Sequence, residues 1–398
     1  MLEQCLHDHR EAIEPWFATR WRQTPPPFYC SLDLRNAGYK LTPVDTNLFP
    51  AGFNNLSPSA RAASLPALRA ALPRVAPGSR RILLVPERHT RNRHYLANVD
   101  TLCALLRAAG FEVRTGLPPQ TGEAVSATMQ LRRWGDRIGV DGFIPDVVLL
   151  NNDLSAGLPA ILADIAQPIV PPPGMGWMRR RKSGHFAHYR TLAAEFCQML
   201  HIDPWLIDPL FRRCDGLDFR HRQGMDRLAD TVDELLRDIA GKYAEHGIDR
   251  APFVAIKADA GTYGMSVMMV RSADQVGGLN RRQRNKMAIA KDGMPVTQVI
   301  VQEGVPTVER AGPTQAVAEP VVYLIGNAVV GGFYRLHGRK GNEDNLNAPG
   351  MAFTAVSLAD SPAGPEPALP EARRYAYSVI GRLAALAAGR EIQELSAD

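Results

Sequence analysis

Residues 254 to 267 read Val254-Ala255-Ile256-Lys257-Ala258-Asp259-Ala260-Gly261-Thr262-Tyr263-Gly264-Met265-Ser266-Val267. An apolar strand ends on a lysine, and a loop of small residues with two glycines returns into a second strand. Glycines let backbone N–H groups come close to an anion, and a lysine supplies a point charge to phosphates. A Walker A loop is excluded, because Lys257 precedes the glycines and no Gly-Lys-Ser/Thr follows. A glycine-rich hairpin with a lysine snorkelling to solvent is the simpler reading of the segment taken alone.

Downstream, VTQVIVQEGV is a strand, and EPVVYLIGNAVVGGFYRLH predicts an antiparallel hairpin because Gly326-Asn327 sits as a two-residue turn between apolar runs. A basic helix is expected near GLNRRQRNKMAIA, a proline-rich linker near residues 361 to 370, and a terminal helix ending in QELSAD. Upstream lies a helical region from about Arg181 to His246, broken near IDPWLIDP and DGLDFRHRQG. Before it, RILLVPE, FEVRT, PDVVLLNND and QPIVPPP read as strands, alternating with helices at NRHYLANVDTLCALLRAAG and LPAILADI. That alternation predicts a parallel, doubly wound sheet, with ligands beyond the carboxyl ends of its strands. Residues 1 to 24 read as a helical arm. The following PPPFYCSLDLRNAGYKLTPVDTNLFPAGFNNLSP is dense in Pro, Gly and Asn and predicts a long irregular segment, ordered by Phe28, Tyr29, Tyr39, Phe49 and Phe53. The expected architecture is α/β: an N-terminal arm and parallel αβα domain over residues 1–180, on the substrate side, then a second unit over 181–398 with a helical insertion.

A chain of 398 residues, 45% hydrophobic and 22% charged, is a folded protein of two or three domains and not a small disulfide scaffold. Its 46 basic against 41 acidic residues give a net charge of +5, too weak a field to argue for a nucleic-acid partner. Five widely spaced cysteines contain no CxxC pair, which predicts free thiols in a reducing compartment. The opening MLEQCLHDHREAIEPW has no apolar signal region, and no apolar run approaches the roughly 20 residues of a membrane span. A cytoplasmic protein without a membrane partner is expected.

Further stretches, in order, change the weight given to Lys257. Gln298 to Val305 resembles the hinge of ATP-grasp ligases, where backbone groups hold adenine, and so points to Gln302, Glu303 and Val305. The hairpin from Glu319 to Arg335 resembles the strand pair after that hinge, ending with an arginine aimed at phosphate or substrate. Asn345-Leu346-Asn347-Ala348-Pro349-Gly350 resembles the loop that closes on the triphosphate, and Arg181-Lys182 the lysine that reaches the nucleotide from the linker side. Over almost the whole chain, LRNAGYKLTPVDTNLFPAGFNNL, VVLLNNDLSAGLP, PPPGMGWMRRRKSGHF, KADAGTYGMSV and NLNAPGMAFTAV resemble a proteobacterial glutamate-cysteine ligase family related to the ATP-grasp enzymes. The resemblance implies a pre-ATP-grasp-like domain followed by an ATP-grasp unit. It further implies ATP-dependent joining of the γ-carboxylate of L-glutamate to the amine of L-cysteine, the first step of glutathione synthesis.

Such a ligase makes an acyl phosphate, and phosphoryl transfer asks for positioning and charge neutralisation more than for a protein nucleophile. Lys257 and Arg335 are the expected catalytic cations. Lys182, Lys257, Gly261, Gly264, Gln302, Glu303, Val305 and Asn345 are the expected ATP contacts. Mg²⁺ takes oxygen ligands, for which Glu319, Asn345 and Asn347 are available, although no late Glu-x-Asn strand follows Asn347. Glutamate calls for a cation, an acid for its ammonium and amide donors. Arg35, Lys40, Asp45, Asn47, Asn54 and Asn55 offer these, and Arg88 and Arg91 at a strand end offer more. The partners implied are small molecules, and a homo-oligomer is compatible with the sequence.

Competing classes fit less well. The basic runs at 179–182 and 281–286 lack a nucleic-acid-binding fold signature, the histidines lack HExxH spacing, and PERHTRN lacks the GxGxxG of a dinucleotide fold. Another carboxylate-amine ligase, or a nucleotide-binding regulatory module without turnover, remains open, because the fold does not set the acceptor.

Overall fold

The computed structural model describes residues 1–87, 92–119, 129–261, 266–358 and 369–397. Arg88, Arg91 and Gly264 lie outside the described residues, as does most of the proline-rich stretch. The helical arm is two helices, α1 (Leu2–Asp8) and α2 (Arg10–Gln23). The segment expected to be irregular holds two strands, β1 (Tyr29–Asn36) and β2 (Leu41–Asn47), paired antiparallel with Asp33 opposite Asp45. Its prolines do not prevent strand pairing. Pro43 lies inside β2, but β2 is the edge of its sheet, where a strand can spare a ladder donor.

Helix α3 (Pro58–Val75) starts on Ser57, whose hydroxyl accepts from the Ala60 N–H, with Pro58 in the first turn. Then come β3 (Arg81–Pro86), α4 (Arg93–Ala108), β4 (Glu112–Thr115), the short hairpin β5 (Arg132–Trp134) and β6 (Arg137–Gly139), β7 (Val147–Asn151) and β8 (Ile169–Val170). As expected, β4, β3, β7 and β8 form a parallel sheet in that order. Its Ile82, Leu84, Val147 and Leu149 pack with α3 and α4. The alternate residues Leu83, Val85, Val148 and Leu150 join the central core, and at Gly116 they meet Leu131 and Val140 beside the β5–β6 hairpin. The helix expected at LPAILADI is a single 3-10 turn, Ala160–Leu162. Gly157 and Asp164, both at positive φ, and Pro159 bracket it too closely for a stable helix.

Helix α5 (Lys182–Leu200) follows, then strand β9 (Phe211–Asp215) within the expected break, and α6 (Met225–Glu245). Strands β10 (Val254–Ala258) and β11 (Val267–Val270), helices α7 (Ala273–Gly277) and α8 (Arg281–Met287), and β12 (Gln298–Glu303) complete an antiparallel sheet ordered β11-β10-β12-β9. Leu228, Val232, Leu235 and Ile239, at helical spacing on α6, pack with Val254, Ile256, Val299 and Val301.

Last come β13 (Arg310–Ala311), β14 (Ala316–Ile325), β15 (Ala328–His337), β16 (Ala352–Val356) and α9 (Glu371–Ala397). The β14–β15 hairpin turns at Gly326-Asn327 as expected, with Gly326 at φ 57°. Strands β16, β15, β14, β1 and β2 lie side by side in one antiparallel sheet, so this sheet draws on chain from both sides of residue 180. Its Leu32, Val322 and Leu324 face α9, where a Cβ at Gly381 would sit 3.2 to 3.4 Å from their methyl groups. A side chain there would need these methyl groups to give by a few tenths of an ångström, so the glycine lets the helix lie close on the sheet. Among the described residues no helix is long and apolar enough to cross a membrane, and all five cysteines are free.

Candidate active site

The face of the large sheet opposite α9 is polar because its strands alternate: Ser31, Asp33 and Arg35 on β1, Asp45 and Asn47 on β2, Glu319 on β14 and Arg335 on β15. This face looks onto the end of β10, and the cleft between the two sheets, open to solvent, spans about 810 Å³. Asp33, Arg35, Asp45 and Glu319 line one side. Phe253, Ala255, Lys257, Met269 and the segment Glu303-Gly304-Val305 line the other, while Asn345 and Asn347 come from the loop after β15.

Lys182, the first residue of α5, reaches the cleft because the β10 loop caps that helix. The Asp259 carboxylate accepts from the Ser183 N–H at 2.8 Å and the Ser183 hydroxyl at 2.7 Å, and the Asp259 carbonyl accepts from the Lys182 N–H. Lys182 Nζ then donates to Asp45 Oδ1 at 2.5 Å and lies 4.4 Å from the centre of the Trp177 ring. Lys257 Nζ donates to the Val44 carbonyl at 2.9 Å and to Gln302 Oε1 at 2.6 Å. Burial pulls the Lys257 ammonium down to about 8, assisted by the positive charges of Lys182 and Arg35 and resisted by Asp45. Burial pushes the Asp45 carboxyl up, but Lys182 and Lys257 outweigh it and hold Asp45 below its ordinary value.

Arg335 sits between two acids, donating to Asp33 Oδ2 at 2.8 Å and to Glu319 Oε1 at 2.5 Å. Arg35 donates to Glu319 Oε2 at 2.8 Å and to the carbonyls of Asn342 and Asp344 at 3.0 and 2.7 Å, which ties the asparagine loop to the sheet. Burial pushes Glu319 up, but the two arginines outweigh it and keep its carboxyl low. Asp33 is raised by burial and by the neighbouring Glu319 charge, against the pull of Arg335. Four cations thus face three carboxylates across the cleft, a set able to exchange partners with a polyanion and a hard divalent cation.

A second cavity of about 760 Å³ adjoins the first and shares Asp33, Asp45 and Asn347 with it. Arg335 and Asn47 line this one. Lys182, Lys257, Gly261, Glu303, Val305, Arg35, Asp45, Glu319, Asn345 and Asn347 therefore line one cleft. Gln302 stands behind Lys257 and leaves its buried Nε2 without a protein partner. Lys40 does not reach the cleft. It is fully buried, donates to Glu303 Oε2 at 2.9 Å and to the Asp208 carbonyl at 2.8 Å, and lies 4.2 Å from the Trp205 ring centre. Asn54 and Asn55 form a 3-10 turn with Phe53, where the Asn54 carbonyl accepts from Arg61, and they line neither cavity. Asp33 went unrecognised in the sequence, although the alternation Ser31-Leu32-Asp33-Leu34-Arg35 is the strand signal that exposes it.

The glutamate-cysteine ligase family matches this chain over residues 3–392. The crystal structure of a candidate gamma-glutamylcysteine synthetase from Methylobacillus flagellatus is 46% identical to it, with a TM-score of 0.89 over 99% of this chain and 96% of that one. A glutathione synthetase-like effector from Globodera pallida is similar at 11% identity over 84% of this chain and 74% of its own. Its TM-score is 0.39. No curated protein matches the chain.

Proposed function

Because the chain belongs to the glutamate-cysteine ligase family, we propose that this enzyme uses ATP to join the γ-carboxylate of L-glutamate to the amine of L-cysteine through an acyl phosphate. The observation that carries the reading is the cleft itself, where Lys257 at a strand end, Lys182 at a helix start and the Asn345/Asn347 loop meet the acids and arginines of a second sheet. We read this pair of antiparallel sheets as an ATP-grasp unit, with adenine against Phe253, Met269 and the backbone of Glu303 to Val305, and phosphates toward Lys182 and Lys257.

In that arrangement the two lysines leave Asp45, Val44 and Gln302 for phosphate oxygens, and each exchange replaces a partner the lysine holds in the free enzyme. Arg335 is placed to hold the glutamyl carboxylate or the transferring phosphoryl group, where charge spreads over oxygens during transfer. Glu319, Asn345 and Asn347 present carboxylate and amide oxygens, the donors that suit Mg²⁺, and a bound ion would neutralise phosphate charge. Lys40 acts from behind: by fixing Glu303 it holds the backbone on which adenine is read.

Substrate-dependent ADP release tests the proposal. ADP appearing only when glutamate and cysteine are both present supports it. Release with a different carboxylate and amine would show another ligase, and nucleotide binding without turnover a regulatory module.

A further inference from the structure

The second cavity has a character of its own. Among the described residues its ionisable lining is Asp33, Asp45, Glu87, Asp153 and Arg335, with the Arg335 guanidinium flanked by Asp33 and Glu319 and Asp45 held by Lys182. Glu87 and Asp153, at the carboxyl ends of β3 and β7, share Lys291, each at 2.8 Å. The opposite wall is apolar and aromatic. Phe353 meets Phe333 edge-on at 5.2 Å between ring centres, Phe333 meets Tyr323 at 5.5 Å, and Met351 stands at the mouth with 39% of its surface exposed.

We infer that this chamber is the acceptor subsite, receiving the amino acid whose amine is joined, with the ammonium toward Asp33 and Asp45 and the side chain against Phe333, Phe353 and Met351. The inference rests on the ligase reading above. Asp45 is released when Lys182 turns to phosphate, so the two acids can take a ligand's ammonium, and the apolar wall beyond them suits a neutral side chain better than a second carboxylate. The aromatic and thioether wall suits a thiol, because polarisable sulfur gains contacts with ring edges while a hydroxyl there would give up its hydrogen bonds to water. Asp33, Asp45 and Asn347 line both cavities, so an amine held by the two acids stands beside the place where the carboxylate would be activated.

The test is a steady-state comparison of Phe353→Ala and Met351→Ala with the parent enzyme, each of the three substrates varied in turn. Phe353 lies half-buried on the edge strand β16 and Met351 is exposed. Phe353→Leu serves in its place if Phe353→Ala melts at a much lower temperature. The cysteine KM is expected to rise about five- to tenfold, the glutamate and ATP values to stay within about twofold, and the kcat/KM preference for cysteine over serine to fall in proportion. A glutamate KM that rises as much as that of cysteine, or three unchanged values, overturns the assignment. Parent enzyme that releases no ADP with glutamate and cysteine would instead overturn the function on which it rests.

Discussion

Lys257 offers the sharpest test of how the cleft meets a nucleotide. Burial brings its ammonium down to about 8 from the ordinary 10.5, so near neutrality the free enzyme holds a cation whose charge is easily lost. Phosphates favour the charged form. Nucleotide affinity should therefore fall as the pH rises through that value, because binding must first put back the missing proton. With a free-enzyme value of about 8, roughly 90% of Lys257 is protonated at about pH 7 and roughly 10% at about pH 9, which gives an ATP Kd about tenfold higher at the upper end. Titration calorimetry in buffers of different ionisation enthalpy should register an uptake of about half a proton per ATP at about pH 8. Binding is preferred to turnover as the readout, since a substrate thiol titrates in the same range. Lys257→Met should bind ATP weakly and without that slope. The same substitution should leave the unliganded fold intact or raise its melting temperature below about pH 8. A lysine whose folded value is depressed opposes folding there, and that opposition is relieved only between about 8 and 10.5. A parent Kd that is flat across this range, or a methionine variant with the same slope, would mean that Lys257 does not carry the charge that phosphates meet.

Three further outcomes are expected. Arg35→Ala removes the tie from the sheet to Glu319 and to the 342 and 344 carbonyls, and should raise the ATP KM by about tenfold or more. A change confined to the glutamate KM would return Arg35 to the substrate-reading role its sequence suggested. Glu391→Gln breaks a buried cluster in which the carboxylate accepts from Arg180 Nε at 2.9 Å and pairs with His185 Nδ1 at 2.5 Å. Burial pushes Glu391 up, but Arg180 and His185 together hold it at about 2, so it stabilises the fold above about pH 4.5 and that contribution is lost as the pH falls toward 2. The variant should lose about 3 kcal/mol in urea melts at neutral pH, with the gap to the parent closing in acid, and a pH-independent gap would count against the linkage. Amide exchange over residues 338–350 should slow when ATP and Mg²⁺ are added, as for a loop that closes on phosphates; unchanged exchange at saturation would deny it that role.

The hairpin at Gly326-Asn327, the parallel sheet and the cluster around Lys257 could be read because each rests on local chemistry: a turn dipeptide, strand-helix alternation, a lysine before glycines. Strands β1 and β2 could not, because what makes them strands is a partner from the far end of the chain, and propensity says nothing of it. The role of Lys40 was lost for the same reason. Among amides and glycines it looks like a ligand for an anion, yet Glu303 and Trp205, far away in sequence, enclose it. Asp33 was legible in principle, since its alternation with Leu32 and Leu34 was present, but the surrounding prolines and glycines argued for a loop.

The pairing of Tyr29 with Ile325 also bears on how the protein is made. On the ribosome, β1 and β2 emerge early and then wait for β14, which at ~5–20 residues per second takes roughly 15 to 60 s. For that interval an apolar strand edge carrying Leu32 and Leu34 has no native neighbour, and unpaired edges of this kind invite pairing with other chains. A nascent chain stopped anywhere before β14 would therefore be a sticky fragment without Glu319 and Arg335 of its polar face, and not a smaller enzyme. Yield in the cell should depend on the elongation rate and on holding chaperones more than the melting temperature of the finished protein suggests.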